Sequence, residues 1–280
     1  MKSPNTLRLE DRVTLPLDVA VAPTGIRDEV RSVEIPCNEA ALVTLASIDG
    51  ATLAELAQQL QNAYTLHWDR AERDARAFVG DLNSAWLVNV DGIGPRRRVL
   101  CGLVGAGLSA LGGVRPEMPR PPARRTPIDT RTKARAAVTT AAAVAPGSLS
   151  LALVSTSAFV LVAALGGFLF PGIAMSLAIA LIAGPMLHEA GHALGLARGS
   201  KACVVTAGFR AFVVQGSQAP RRRLVAAAGP IACVLGGAGT AVVGAALAQP
   251  WGFLIGGMLA AHAIGLTALS PDGRNACDLR

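Results

Sequence analysis

Pro185-Met186-Leu187-His188-Glu189-Ala190-Gly191-His192 closes an apolar run that opens near Ile173. Between residues 136 and 271 the chain carries a single acidic residue, and it is Glu189. A carboxylate at the middle of a bilayer costs about 2.5–3.5 kcal/mol on insertion scales, so such a residue is rarely idle. Outward from this run, the sequence reads as four hydrophobic spans, at about 149–170, 173–197, 224–247 and 251–269. Each approaches the roughly 20 residues that a membrane-crossing helix needs. Pro171-Gly172 and Gln249-Pro250 make the two short turns on one side.

The 280 residues are 51% hydrophobic, 16% charged and 4% aromatic, and the apolar excess lies in the second half. Much of the formal charge of +7 is localised as well. Residues 96–135 hold ten basic side chains against Glu117 and Asp129. A basic block before a hydrophobic span marks the cytoplasmic face and its anionic lipid. Nucleic acid is excluded as a partner because no stacking aromatics interleave the block. Basic residues also fall between spans two and three (Arg198, Lys201, Arg221, Arg222, Arg223) and after span four (Arg274, Arg280). The expectation is a multi-pass protein of the cell membrane with both termini cytoplasmic. Residues 1–30 lack a charged start followed by an apolar core, so no signal peptide is expected. Cys37, Cys101, Cys203, Cys233 and Cys277 are odd in number and never spaced as pairs, which argues against a disulfide framework or a cysteine metal site.

Three regions follow. Residues 1–95 read as a small α+β, winged-helix-like domain. Alternating apolar residues over 10–35 predict two or three strands. Asn38 caps a helix running to about Ile48, where Asp49-Gly50 stops it. Helices over 52–64 and 68–85 and a closing strand over 86–90 complete the domain. Residues 96–147 read as a basic linker. In it, 100–114 is an apolar stretch short for a span, and 116–127, with five prolines, is expected to be extended. Residues 148–280 form the polytopic helical domain of about four spans.

His188 and His192 lie one helical turn apart, so both imidazoles project from one face and can reach one metal ion. His-Glu-x-x-His is the spacing that zinc proteases use, with the glutamate as general base. Glu189 is therefore the candidate catalytic residue, and Zn2+ the expected cofactor because neutral imidazoles suit it. A third ligand is required. Asp272, at the cytoplasmic end of span four, is the candidate, with His262 as the alternative; mid-span, His262 reads rather as a polar group of the bundle core. The β-prone runs 202–206 and 211–214 around Gly208 predict a hairpin or re-entrant edge beside the site that pairs with unwound substrate.

Two resemblances extend this reading. Residues 149–280 resemble the site-2 protease family of intramembrane zinc proteases, through His188-Glu189-Ala190-Gly191-His192, Ala228-Gly229-Pro230 and Asp272-Gly273. The resemblance implies zinc bound by His188, His192 and Asp272, with Glu189 as base. This chain departs from the family where an asparagine usually follows the Gly-Pro element, near Cys233, and where residues 264–268 replace an Asn-x-x-Pro. Residues 38–90 resemble the PqqD-like domains that recognise precursors in ribosomal-peptide biosynthesis, through Asn38-Glu39-Ala40-Ala41, Ile48-Asp49-Gly50, 52–56 and Trp86-Leu87-Val88. That implies capture of a precursor's leader peptide as an added strand. Together they imply a membrane protease that removes the leader from a modified precursor peptide. The alternatives are a regulatory protease releasing a membrane-bound transcription regulator, and a non-catalytic membrane anchor or immunity protein. Oligomeric state is not legible.

Overall fold

The computed structural model describes residues 5–110, 121–167, 170–216 and 221–261. Within them the chain forms eight helices and eight strands. It divides into two compact units. The first comprises Met1–Pro127 with Val205–Arg210 and Val214–Ser217; the second comprises Ile128–Val204, Ala211–Val213 and Gln218–Arg280.

The first unit opens with β1 (Arg12–Thr14), β2 (Val19–Ala22), β3 (Gly25–Asp28) and β4 (Val33–Pro36), followed by α1 (Glu39–Leu45), α2 (Leu53–Tyr64) and α3 (Trp68–Ser84). β2, β3 and β4 make an antiparallel sheet in that order, with Ile26 opposite Ile35 and Arg27 opposite Glu34. β1 pairs instead with β5 (Asn89–Asp91), Val13 facing Val90. The alternation over 10–35 thus yields four short strands. Pro16, which cannot donate to a ladder, separates β1 from β2 and leaves Leu17 in solvent. The helices begin where local chemistry dictates. Asn38 accepts the Ala41 N–H at 2.9 Å. Thr52 and Glu55 form a reciprocal capping box at the start of α2. Leu53, Leu56, Ala57 and Leu60 of α2 pack with Ala71, Ala75 and Val79 of α3, Val13 and Ile26 to form the core.

Among the described residues, the segment read as a linker contains regular structure. Residues 95–110 form α4 (Pro95–Ala110), whose Arg97 makes a buried ion pair with Asp11 and donates to the Thr6 carbonyl at 2.9 Å. The expected extended stretch contains β6 (Ala123–Pro127), with Ala123 and Arg125 buried in the first unit. Side chains distant in sequence hold it there, and composition alone does not register them.

The second unit is a helical bundle of α5 (Lys133–Leu165), α6 (Pro171–Gly195), α7 (Arg222–Ala246) and α8 (Trp251–Ala260). α5, α6 and α7 are long and apolar enough to cross a membrane, which points to a membrane protein. α5 starts at Lys133, well before the apolar onset at 149, because the alanine-rich stretch 134–145 favours helix and Thr132 caps it. It crosses the boundary drawn at 147/148. The predicted fourth span is described only as α8, the rest lying outside the described residues. α6 packs against α5, α7 and α8. Ala136, Thr140, Val144, Ser148 and Ala152 turn inward on α5, while Leu149, Leu153, Leu161 and Val162 face outward, as lipid contact demands. Lys133 donates to the carbonyls of Leu194 and Leu196, satisfying the open end of α6.

β7 (Ala202–Ala207) and β8 (Arg210–Gln215) form the predicted hairpin, turning at Gly208 with φ +60°. With β6 they make a sheet in the order β6-β7-β8, which places β8 at an edge.

Candidate metal centre

The site is built on the last turns of α6. Pro171 at the first helical position starts this helix, and its sequence is small and apolar up to Leu187. His188, Glu189 and His192 then stand on adjacent turns, with Glu189 and His192 buried. Their potential ligand atoms all lie within 4.8 Å of one another, so the group can hold a metal ion.

The two Nε2 atoms are 3.1 Å apart and the imidazole planes are nearly perpendicular, at 87°. Two nitrogens bound tetrahedrally at about 2.0–2.1 Å from one ion stand roughly 3.3 Å apart, so the pair is close to a ligating geometry. His192 Nδ1 lies 2.5 Å from the Val225 carbonyl oxygen. A carbonyl only accepts, so Nδ1 carries the proton and Nε2 keeps its lone pair, the form a metal requires. Glu189 Oε2 accepts the Val213 backbone N–H at 2.9 Å. The edge strand β8 therefore reaches the carboxylate through its main chain, beside the site, where the sequence places a pairing edge.

Glycines let α7 come this close. A Cβ on Gly191 would stand 2.5 Å from the Ala228 oxygen, and one on Gly195 would stand 2.9 Å from Val225 Cα. A Cβ on Gly229 would stand 2.5 Å from His192 Nε2. The backbones of α6 and α7 thus meet along a seam without side chains, the small-residue packing that membrane helices favour. Pro230 has no N–H to return to the Ala226 carbonyl, which loosens α7 at that turn. Cys233 lies on the same face and its thiol donates to the Gly184 carbonyl at 3.5 Å.

The structure brings His188, Glu189 and His192 together. Asp272, expected as third ligand, and His262, its alternative, lie outside the described residues. Sequence reasoning missed the Val225 carbonyl, the Val213 N–H and the role of Gly229. The first two are main-chain groups and carry no signal of residue type. Gly229 stands in the Ala228-Gly229-Pro230 motif, and no local signal in the sequence says that a side chain there would strike His192.

A second candidate site lies in the first unit. A groove of about 720 Å³ runs between β4, α1 and α3, lined by Ile35, Pro36, Ala41, Thr44, Phe78 and Leu82. Arg70, Asp74 and Asp81 also line it. β4 is the edge of its sheet, and burial pushes the thiol of Cys37, just beyond it, up from its ordinary pKa.

No family model, curated protein or solved structure matches the chain.

Proposed function

We propose that the chain is an intramembrane zinc metalloendopeptidase, and that it removes the leader from a ribosomally made, modified precursor peptide. The observation that carries the reading is the pair of imidazoles 3.1 Å apart, one fixed in its metal-binding tautomer, with a buried carboxylate beside them. His188 and His192 would hold the ion, with Asp272 as third ligand. When bound, zinc supplies a Lewis acid that activates water and polarises a carbonyl. Glu189 takes a proton at its carboxylate and passes it to the leaving amine. The Val213 N–H orients that carboxylate. The edge of β8 accepts the substrate as an extended strand, since a helix hides the peptide bond that must be cut.

The first unit supplies capture. Its three-stranded sheet followed by three helices agrees with a winged-helix-like, PqqD-like domain, and the groove beside edge strand β4 suits a leader peptide. Tethering capture to cleavage raises the local concentration of a weakly held peptide. In this reading both termini face the cytoplasm, the side of the basic residues flanking α5 and α7.

The test is metal content of the detergent-purified protein beside cleavage of a co-expressed precursor. Wild type is expected to hold about one zinc per chain, lost in His188→Ala, His192→Ala and Asp272→Ala. Glu189→Gln is expected to keep the zinc and lose cleavage. A folded wild type that takes up no divalent metal sinks the proposal.

A further inference from the structure

Residues 121–127 read Pro-Pro-Ala-Arg-Arg-Thr-Pro. As β6 this stretch pairs with β7 along one edge, and along the other it is gripped by side chains of the first unit, outside the sheet of β1 and β5. Two asparagines grip its main chain. Asn83 accepts the Ala123 N–H and donates to the Ala123 carbonyl, both at 2.8 Å. Asn89 accepts the Arg125 N–H at 2.6 Å and donates to the Arg125 carbonyl at 3.1 Å. A carboxamide offers the same donor and acceptor as a peptide bond, and the two-residue step matches the period of a strand. These contacts therefore select an extended main chain and no particular side chain.

One side chain supplies the selectivity. The guanidinium of Arg125 has five N–H groups, and all five are used. Nε and Nη2 donate to Asp18 Oδ2 at 3.0 and 2.7 Å. Nη1 and Nη2 donate to the two oxygens of Asp28 at 2.8 Å each, and Nη1 also reaches the Trp86 carbonyl at 3.3 Å. This is bidentate recognition, which lysine cannot reproduce. Asp18 Oδ1 is buried and has no hydrogen-bond partner among the described residues, so the present occupant leaves an acceptor unused. Pro121, Pro122 and Pro127 keep the segment extended on release, so docking and undocking require little reordering.

Main-chain clamps plus a single charged pocket are the parts of a receptor for extended peptides. We infer that Asn83, Asn89, Asp18 and Asp28 form a recognition site for an extended peptide with one buried arginine, filled in cis by Ala123–Pro127. An incoming peptide with an arginine among small residues and prolines displaces the strand from these side chains, takes over its pairing with β7 and frees the segment that leads into α5. The site shares no lining residue with the groove beside β4.

The test uses the full chain in detergent. In wild type, the amides of Ala123 and Arg125 are expected to exchange hydrogen about 100-fold faster than that of Val79 in α3, through local release of the strand. Exchange in step with α3 would mean a permanent strand and overturn the inference. In Arg125→Ala, a labelled peptide of residues 119–129 is expected to bind. The same peptide with glutamine at its buried arginine should bind at least about tenfold more weakly. A folded variant that ignores the peptide also overturns the inference; if the variant does not fold, hydrogen exchange in wild type decides alone.

Discussion

Replacing Gly229 with alanine tests the proposed metal site without replacing a proposed ligand. The added methyl would lie 2.5 Å from His192 Nε2, 2.6 Å from its Cε1 and 2.8 Å from the His188 carbonyl oxygen. Nonbonded heavy atoms prefer about 3.5–4.0 Å, so roughly 1 Å of room is missing. The ring is pinned by its 2.5 Å bond to Val225, and the His188 oxygen belongs to the helix itself. Overpacking of this kind costs about 1–3 kcal/mol, against roughly 1 kcal/mol that alanine gains over glycine in a helix. The larger effect is expected on metal binding at the proposed site. Disturbing the support of a ligating histidine typically costs about 10–100-fold in affinity. Gly239, on the same helix with nothing within 4 Å of its missing Cβ, is the control. Chelator competition for zinc and thermal unfolding should separate the two variants. Gly229→Ala is expected to bind zinc at least about tenfold more weakly, and Gly239→Ala to bind it as wild type. Equal affinity in both would refute the reasoning.

Val213→Pro removes the N–H that orients Glu189; it should keep the metal and lower cleavage at least about tenfold, whereas Val213→Ala should cleave as wild type. Undiminished cleavage by the proline variant would remove β8 from the mechanism. Thr52→Ala breaks the capping box of α2 and should destabilise the first unit by about 1 kcal/mol, read by denaturant titration. Burial alone would raise the Asp28 carboxyl, but hydrogen bonds from Arg125 and Arg31 outweigh it and hold it well below the ordinary carboxylate range. Its contribution is complete above the unfolded pKa of about 3.9 and is withdrawn as pH falls through the depressed folded value. Melting of the first unit should therefore change little through this group from pH 7 to 5 and fall in stronger acid. Asp28→Asn, which leaves Arg125 short of a partner, should cost about 3–5 kcal/mol at pH 7 and flatten that acid limb. A variant with the wild-type pH profile would discount the pairing.

What was legible in the sequence was local. The i, i+4 histidines needed only helical periodicity, and α6 and α7 fall within two residues of the spans read from hydropathy. The hairpin at 202–215 followed from β-branched runs on either side of Gly208, and the caps at Asn38 and Thr52 lie where α1 and α2 begin. What was missed depends on distant partners. A proline-rich basic stretch signals a solvated linker until Asn83, Asn89, Asp18 and Asp28 are seen to hold it. Leu17 continued an apparent alternation, yet Pro16 had already ended the strand. Trp86, read as the start of the closing strand, lies at φ +62° in the turn before it.

The glycine seam reaches past the proposed metal site. Beyond Gly191, Gly195 and Gly229, a Cβ on Gly237 would stand 2.6 Å from the Gly256 oxygen, and one on Gly252 2.5 Å from Gly244 Cα. Much of the bundle is thus specified by volumes that must stay empty. Substitutions along α7 and α8, remote from any chemistry, should be as poorly tolerated as changes at the histidines. A map of mutational tolerance would trace the helix crossings as a continuous stripe, with the proposed catalytic residues as one short stretch of it.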